Sequence, residues 1–423
     1  MGVKVAVIGG GSTYTPELIE GLAQRSERLS VDELVLHDID PERLEVVGGM
    51  AARMLRRLDW PGRLVVTTDL PAAIDGASFV LLQLRVGGQA ARLVDETLPL
   101  RFGTIGQETT GAGGFAKALR TVPVVLDIAE RVAERSAPGA WIVDFTNPVG
   151  IVSQALLDAG HRAIGLCNVG IGFQRRFAAA LGVRPDEVML EHVGLNHLSW
   201  IRAIRVDGRD RLDEILDESG AELAADIGLS LDTLRELHAV PSYYLRYYYR
   251  FAEVLAEQRS KPSRAQEVMD IEASLLAMYR DPSVDEKPEL LEHRGGAYYS
   301  LAAAQLLASL HDGTGDVQVV DVRNGGALQG MPDDAVIEIS ARIDREGAHP
   351  IPVAPLDPGM LELVRTVKTF ERLVIRAALS GDRADALDAL AANPLVGPYV
   401  DPEPLLDALL EANRALLPRF FTA

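Results

Sequence analysis

Short apolar runs recur through the first part of the chain, each followed by a turn and a segment with apolar residues at helical spacing. Residues 3–8 (VKVAVI), 33–38 (ELVLHD), 64–67 (LVVT), 79–83 (FVLLQ), 141–145 (WIVDF) and 163–166 (AIGL) are predicted strands. Residues 41–58 and 114–135 are predicted helices. The first of these opens on Pro41, at the position where a missing N–H costs nothing. Strands alternating with helices argue for a parallel, doubly wound sheet. Beyond the sixth strand the rhythm changes. Residues 201–206 are a predicted strand closed by Asp207-Gly208 as a hairpin turn. Residues 211–279 are predicted mostly helical and carry much charge. The segment 294–300 (RGGAYYS) opens a further helix, 317–322 and 335–343 are predicted strands, and the chain is helical from 358 onward. The pattern divides the chain into an α/β domain, 1–168, and an α+β domain, 169–423.

Composition narrows the partners. The net charge is −19, from 42 basic and 61 acidic residues. This argues against nucleic acid or an anionic membrane as a main partner. An anionic substrate then needs a local arginine cluster to hold it. A single cysteine leaves no intrachain disulfide and suits a reducing compartment. No apolar run approaches the length of a membrane span, and the N-terminus enters a strand with no signal-peptide pattern, so the expected location is the cytoplasm.

Candidate chemistry collects at strand ends, where open α/β sheets meet their ligands. After the first strand, Gly9 and Gly11 supply the first two glycines of a dinucleotide fingerprint, with Ser12 and Thr13 next; Tyr14 stands where the third glycine would be. Asp38 ends the second strand, 29 residues after Gly9, and is the candidate ribose ligand. The segment 103–120 is rich in glycine around Gln107, Glu108, Thr109 and Thr110, a pattern that brings backbone close to a ligand. Asn147 precedes Pro148 and is therefore biased to an extended conformation at a strand end. Cys167 follows another strand, with Asn168 and a glycine-containing turn after it. His197 lies at a second apolar–polar junction. Thiolate and imidazole together can hold a transition metal with positions left for substrate. Five of the ten tyrosines fall in residues 241–250; so many hydroxyls cannot all be buried without partners.

Taken together, these motifs resemble glycoside hydrolase family 4, the NAD- and metal-dependent glycosidases. The resemblance rests on VIGGGSTYTPELI, RVGG, IGQETTG, FTNPVGI, GLCN, GLNHLSW, PSYYLRYYY, Pro-Ser-Arg264 and RGGAYYS, in that order. It implies a Rossmann-like N-terminal domain and a C-terminal metal, substrate and oligomerisation domain, as in lactate and malate dehydrogenases. It implies NAD at Gly9, Gly11, Ser12, Thr13 and Asp38, and a metal on Cys167 and His197. The softness of that pair favours zinc, cobalt or iron, whereas the resemblance implies Mn²⁺, with hard oxygen ligands from the sugar. Glu108 and Asn147 match residues lining the sugar site, and Arg92 and Arg264 match arginines that grip a sugar 6-phosphate. Tyr244 matches the catalytic base, with Tyr243 the alternative. Asn168 stands where members acting on α-linked substrates carry Asp. This implies a 6-phospho-β-glucosidase acting on substrates such as cellobiose 6-phosphate; α-glucosidase, α-galactosidase and α-glucuronidase activities are the alternatives within the family. Gly170 departs from the family's usual proline. NAD-dependent members of this family are a known exception to two-carboxylate hydrolysis. The implied route is oxidation at C3, removal of the C2 proton by Tyr244, elimination at C1, hydration and return of the hydride. Homodimers or homotetramers are implied too. A different class, an NAD-dependent 2-hydroxy-acid dehydrogenase, would need a His–Arg pair and would accumulate NADH. A non-catalytic nucleotide-binding protein would not need Cys167, His197 and Tyr244 together.

Overall fold

The computed structural model describes residues 2–295 and 298–421. Gly296 and Ala297, within the segment expected to open a helix, lie outside the described residues; the helix itself runs Tyr299–Asp312. Six parallel strands form one half of the sheet: β1 (Val3–Ile8), β2 (Val31–His37), β3 (Arg63–Thr67), β4 (Phe79–Leu82), β5 (Trp141–Asp144) and β6 (Ala163–Gly165). Their spatial order is β3-β2-β1-β4-β5-β6, the order of the doubly wound dinucleotide fold. β4 is buried at every position, as a parallel strand covered by helices on both faces must be.

The sheet does not stop at β6. Strands β7 (Val188–Leu195), β8 (Leu198–Val206), β9 (Arg209–Asp210), β10 (Val240–Pro241), β11 (Asp316–Arg323), β12 (Val336–Asp344) and β13 (Gly347–Pro350) extend it with antiparallel pairings. β11 joins β6 through the pair Asp321 and Gly165. From there the order runs β11-β12-β7-β8-β10, with β13 on β12 and β9 on β8. The expected strands and the parallel half are present, with ends differing by up to three residues. Asp207 and Gly208 both take positive φ (50° and 75°) between β8 and β9, as a two-residue hairpin loop requires.

Three local features differ from the expectation. The helix placed at 114–135 starts earlier, as Gly111–Arg135. Its first turn contains Gly113 because a Cβ there would lie 2.2 Å from the Gln107 carbonyl oxygen, so close packing outweighs the low helix propensity of glycine. The segment after Cys167 is the helix Asn168–Leu181 rather than a turn. Gly170 lets that helix settle onto β11, since its Cβ would stand 2.6 Å from Cβ of Val319. β7 was not expected at all. It pairs with β8 through a hairpin whose loop is Asn196-His197, with His197 at φ 62°. No helix among the described residues is long and apolar enough to cross a membrane.

Candidate active site

A cleft of ≈ 2080 Å³ runs along the carboxyl ends of the parallel strands. Its first part is the turn after β1. Gly9 sits at φ 92°, and a Cβ there would stand 2.8 Å from the Gln83 carbonyl oxygen. Only glycine fits both constraints. The amides of Gly9 and Gly10 both donate to the His37 carbonyl, at 2.9 and 2.7 Å. The Gly11 amide donates to Asp38 Oδ2 (2.9 Å), which ties the turn to the end of β2. The helix Thr15–Ala23 begins directly after, so its N-terminal dipole faces the space where a pyrophosphate would lie. Gly9, Ser12 and Asp38 line the cleft, whereas Gly11 and Thr13 do not. Thr13 is fully buried, its hydroxyl on Glu272 (3.3 Å) and its carbonyl accepting from the Tyr279 hydroxyl (2.8 Å). It supports the turn from beneath. Tyr14, in place of a third glycine, packs edge-on against Tyr299.

The second part of the cleft is built by elements distant in sequence. Cys167 is the residue before the helix Asn168–Leu181, is 2% exposed, and lies behind the cleft wall, which its neighbour Asn168 lines. Burial pushes its thiol up, and the charge of Glu338 adds to this. His197 comes from the β7–β8 hairpin, buried, with Nδ1 2.9 Å from Oγ1 of Thr109. Burial lowers its pKa to about 4, so the ring is neutral at physiological pH and able to act as a ligand. Tyr244 stacks on that ring at 3.6 Å between centroids and 13° between planes. Cys167 is among the charges acting on Tyr244 and Tyr299.

β10 explains how Tyr244 reaches this place. Pro241 pairs with Trp200 on β8, and the Ser242 amide donates to the Ser199 carbonyl (2.8 Å). The tyrosine pair follows in the short turn Tyr243–Leu245. Tyr243 turns to Phe173, stacked at 4.8 Å, and Tyr244 to His197. The structure thus separates two residues that sequence alone left interchangeable.

Asn147 follows β5, with a cis bond to Pro148. Its amide is hydrogen-bonded to the Tyr299 hydroxyl, while its Oδ1 is buried with no partner. A buried acceptor without a donor suits a ligand hydroxyl. Glu108 is surrounded by cations: Arg85, Lys117 (2.7 Å) and Arg92 (3.2 Å). Burial pushes its carboxyl up, but Arg85, Lys117 and Arg92 outweigh this and hold it well below the usual range. Burial also brings Lys117 down to about 7. Arg92 further pairs with Glu96 Oε1 (2.7 Å). Glu96 Oε2 accepts from the Ala265 amide (2.7 Å), at the start of the helix Arg264–Arg280. One carboxylate therefore links Arg92 to the helix that begins with Arg264, and both arginines line the cleft with Asn168. Arg264 is the more accessible, held by Glu267 (2.8 Å).

Arg85, Lys117 and Tyr299 were missed by sequence reasoning. Lys117 lies inside a helical stretch, where a lysine is ordinarily a solvated charge. Its position three residues after Gly114, on the core face, was the available signal.

The donor set fits a transition metal. Cys167 and His197 supply thiolate and imidazole, and no group of three or more His, Cys, Asp or Glu side chains gathers as a metal site among the described residues. Two protein ligands leave positions for substrate oxygens. The Gly9 cradle and Asp38 likewise fit a dinucleotide.

Comparisons with known proteins identify the family. Residues 4–183 match the model of the family 4 glycosyl hydrolases, and residues 192–396 match the family 4 glycosyl hydrolase C-terminal domain. A Bacillus subtilis (strain 168) protein described as a probable 6-phospho-beta-glucosidase is 40% identical, covering 99% of this chain and 98% of that one. The solved structure of the 6-phospho-beta-glucosidase from Thermotoga maritima, with manganese, NAD⁺ and glucose-6-phosphate, superposes with a TM-score of 0.92 at 36% identity, over 98% of this chain and 99% of that one. Malate dehydrogenase from Plasmodium falciparum, 14% identical with a TM-score of 0.53 over 92% of this chain and 99% of that one, shares the fold alone.

Proposed function

The chain belongs to family 4 of the glycosyl hydrolases, and on that premise we propose that it hydrolyses 6-phospho-β-glucosides, such as cellobiose 6-phosphate, to glucose 6-phosphate and an aglycone. The observation that carries the reading is the stack of Tyr244 on His197 in the same cleft as the Gly9 turn. In this reading Tyr244 is the base, His197 a metal ligand and the Gly9 turn the dinucleotide cradle, all opening on one cleft.

Gly9, Ser12 and Asp38 hold NAD from the cleft, and Gly11 and Thr13 shape the turn beneath. Cys167 and His197 hold the metal, Mn²⁺ in this reading. NAD, when bound, exchanges a hydride with C3 of the sugar, and the metal acts as a Lewis acid toward the sugar oxygens. Arg92 and Arg264 bind the 6-phosphate, because guanidinium groups make charge-assisted contacts to it. Asn147 Oδ1 accepts a hydrogen bond from a sugar hydroxyl. Glu108, kept ionised by three cations, orients the sugar, and Asn168 faces the leaving-group side. Tyr244 takes the C2 proton, which a C3 carbonyl makes acidic, the C1 substituent departs, and water then adds at C1 as a proton returns to C2. The domain boundary lies at 168, where the parallel half of the sheet ends. The protein works in the cytoplasm as a homodimer or homotetramer.

The test is release of nitrophenol from nitrophenyl β-glucoside 6-phosphate. Release should require NAD⁺, Mn²⁺ and a thiol reductant together, and the unphosphorylated glucoside should be a poor substrate. Equal kcat/KM for both sugars would remove the phosphate site. Steady accumulation of NADH would instead identify a dehydrogenase.

A further inference from the structure

Thr109 lies in the segment that leads into the helix Gly111–Arg135, far from His197 in sequence. The hydrogen bonds around Thr109 give the contact between them its direction. Gln107 Oε1 receives the backbone amides of Thr109 and Thr110, the latter at 2.8 Å. Two N–H donors converge on it, so that atom is the carbonyl oxygen of the side-chain amide, not its NH₂. Oγ1 of Thr109 is 2.8 Å from the same oxygen, nearer than Oγ1 of Thr110 at 3.3 Å. An amide oxygen has no proton to give, so the hydroxyl donates. A hydroxyl carries one hydrogen, and this bond uses it. At the 2.9 Å contact between Thr109 Oγ1 and His197 Nδ1, the threonine can therefore only accept.

We propose that Thr109 is a positioning residue: by accepting the Nδ1 proton of His197 it fixes the ring's tautomer and orientation and leaves Nε2 bare as the metal-binding atom. The proposal rests on the reading of His197 as a metal ligand. A ligating imidazole is commonly oriented by a hydrogen bond from its other nitrogen to a carboxylate, carbonyl or water. Here a threonine hydroxyl has that role, and Gln107 sets its direction. The arrangement also couples the two parts of the chain: the acceptor belongs to the glycine-rich segment and the ring to the β7–β8 hairpin.

Two measurements test this. The first uses metal-free protein labelled with ¹⁵N-histidine, with His197 identified by the signals lost in His197→Asn. The wild type and Thr109→Ser should carry the proton on Nδ1, whereas Thr109→Val, nearly the same shape without the hydroxyl, should show a mixture of tautomers. The second is Mn²⁺ binding to the NAD⁺-loaded protein, followed by the electron paramagnetic resonance of the free ion. Thr109→Val should weaken binding by about 10–100-fold, and Thr109→Ser should restore most of it. A wild-type ring protonated on Nε2 overturns the proposal, and this result needs no variant to fold. So does a Thr109→Val protein with unchanged tautomer and unchanged Mn²⁺ affinity. If His197→Asn binds Mn²⁺ as well as the wild type, the ligand reading falls and the proposal with it. A wild-type affinity that depends on His197 but not on Thr109 removes the proposal alone.

Discussion

Burial works against Tyr244 as a base. Desolvation raises its pKa well above the ordinary tyrosine value, Cys167, Tyr247 and Glu108 raise it further, and Arg92 is the cation that opposes them. The protein's own charges therefore keep the hydroxyl protonated at neutral pH. The positive charge that would lower it must arrive with the ligands of the cleft. The role is open to a direct check. Reaction in D₂O should place deuterium at C2 of the released sugar phosphate, whereas two-carboxylate hydrolysis leaves that bond intact. Tyr244→Phe keeps the stack on His197 and removes the hydroxyl, so cleavage and C2 exchange should both be lost. If the variant still exchanges, the base is another group, and Tyr243 is the next to replace. Phosphate binding is better probed at Arg264 than at Arg92. Truncating Arg92 also strips a partner from Glu96 and Glu108, which are buried. Arg264 is half exposed, and its neighbour Glu267 can turn to water. Arg264→Ala should raise KM for the phosphorylated substrate by a factor equivalent to roughly 1.5–3 kcal/mol and leave the free glucoside unchanged. Equal effects on both substrates would assign Arg264 a structural role only. Among site residues, those at strand ends or beside a distinctive neighbour were legible: Gly9, Asp38, Asn147, Cys167. Lys117 and Arg85 were not. Both pair with Glu108, a partner 23 residues from one and nine from the other, and beyond the helical phase of Lys117 the sequence gives no sign of which charged residues meet.

At the scale of elements, the apolar runs were legible because parallel strands covered on both faces leave a continuous signal. The connections that carry the chemistry were less so. β10 is two residues long and contains a proline, too short for any periodicity, yet its pairing with Trp200 delivers Tyr244 to His197. β7 alternates only in part: its buried face runs from Val188 and Leu190 to a polar residue, His192, buried on Glu338 (2.6 Å), and from there every residue to Leu195 is buried. The helix after Cys167 was obscured by Gly170 and Gly172, residues that suggest a turn. The reason for Gly170 is steric. With the helix seated on β11, an added methyl would stand 2.6 Å from Val319 Cβ and closer than contact to both its methyls. Gly170→Ala should therefore destabilise the protein by about 1–3 kcal/mol, read as a lower urea midpoint with unchanged slope. Adding Val319→Ala should recover part of the loss. A Gly170→Ala protein as stable as the parent would mean that the helix shifts away at little cost.

The whole molecule is joined where β11 lies beside β6, and the side chains buried at that seam are acidic. Asp144 ends β5, Asp321 pairs with Gly165, Glu338 stands on β12, and Glu371 comes from the helix Pro358–Ser380 with Lys368 beside it. These carboxyls cannot all ionise. Burial pushes Glu338 up, but hydrogen bonds from His192 and Asn196 and the charge of His192 outweigh it and hold its pKa below the usual value. Asp321 has no such help. Both its oxygens are buried without partners, and burial followed by repulsion from Glu338 raises its pKa well above the ordinary value. Asp144 is raised as well, by burial. The sign of the consequence follows from proton counting. Above about pH 4, where an unfolded aspartate loses its proton, the folded chain retains one on Asp321 and the unfolded chain does not. The folded state binds more protons, so stability falls as pH rises from there to the folded pKa, at up to roughly 1.4 kcal/mol per pH unit for one group. Asp321→Asn has nearly the same shape and is neutral in both states, so it removes that contribution. As pH rises above about 4, the wild-type Tm should lose ground to that of Asp321→Asn, with the variant gaining on the parent at each step upward. Parallel Tm profiles would mean that Asp321 is ionised in the folded protein. Its charge would then have to be shared with Lys368, the cation that opposes the shift, and the seam would be held by an ion pair rather than by a proton.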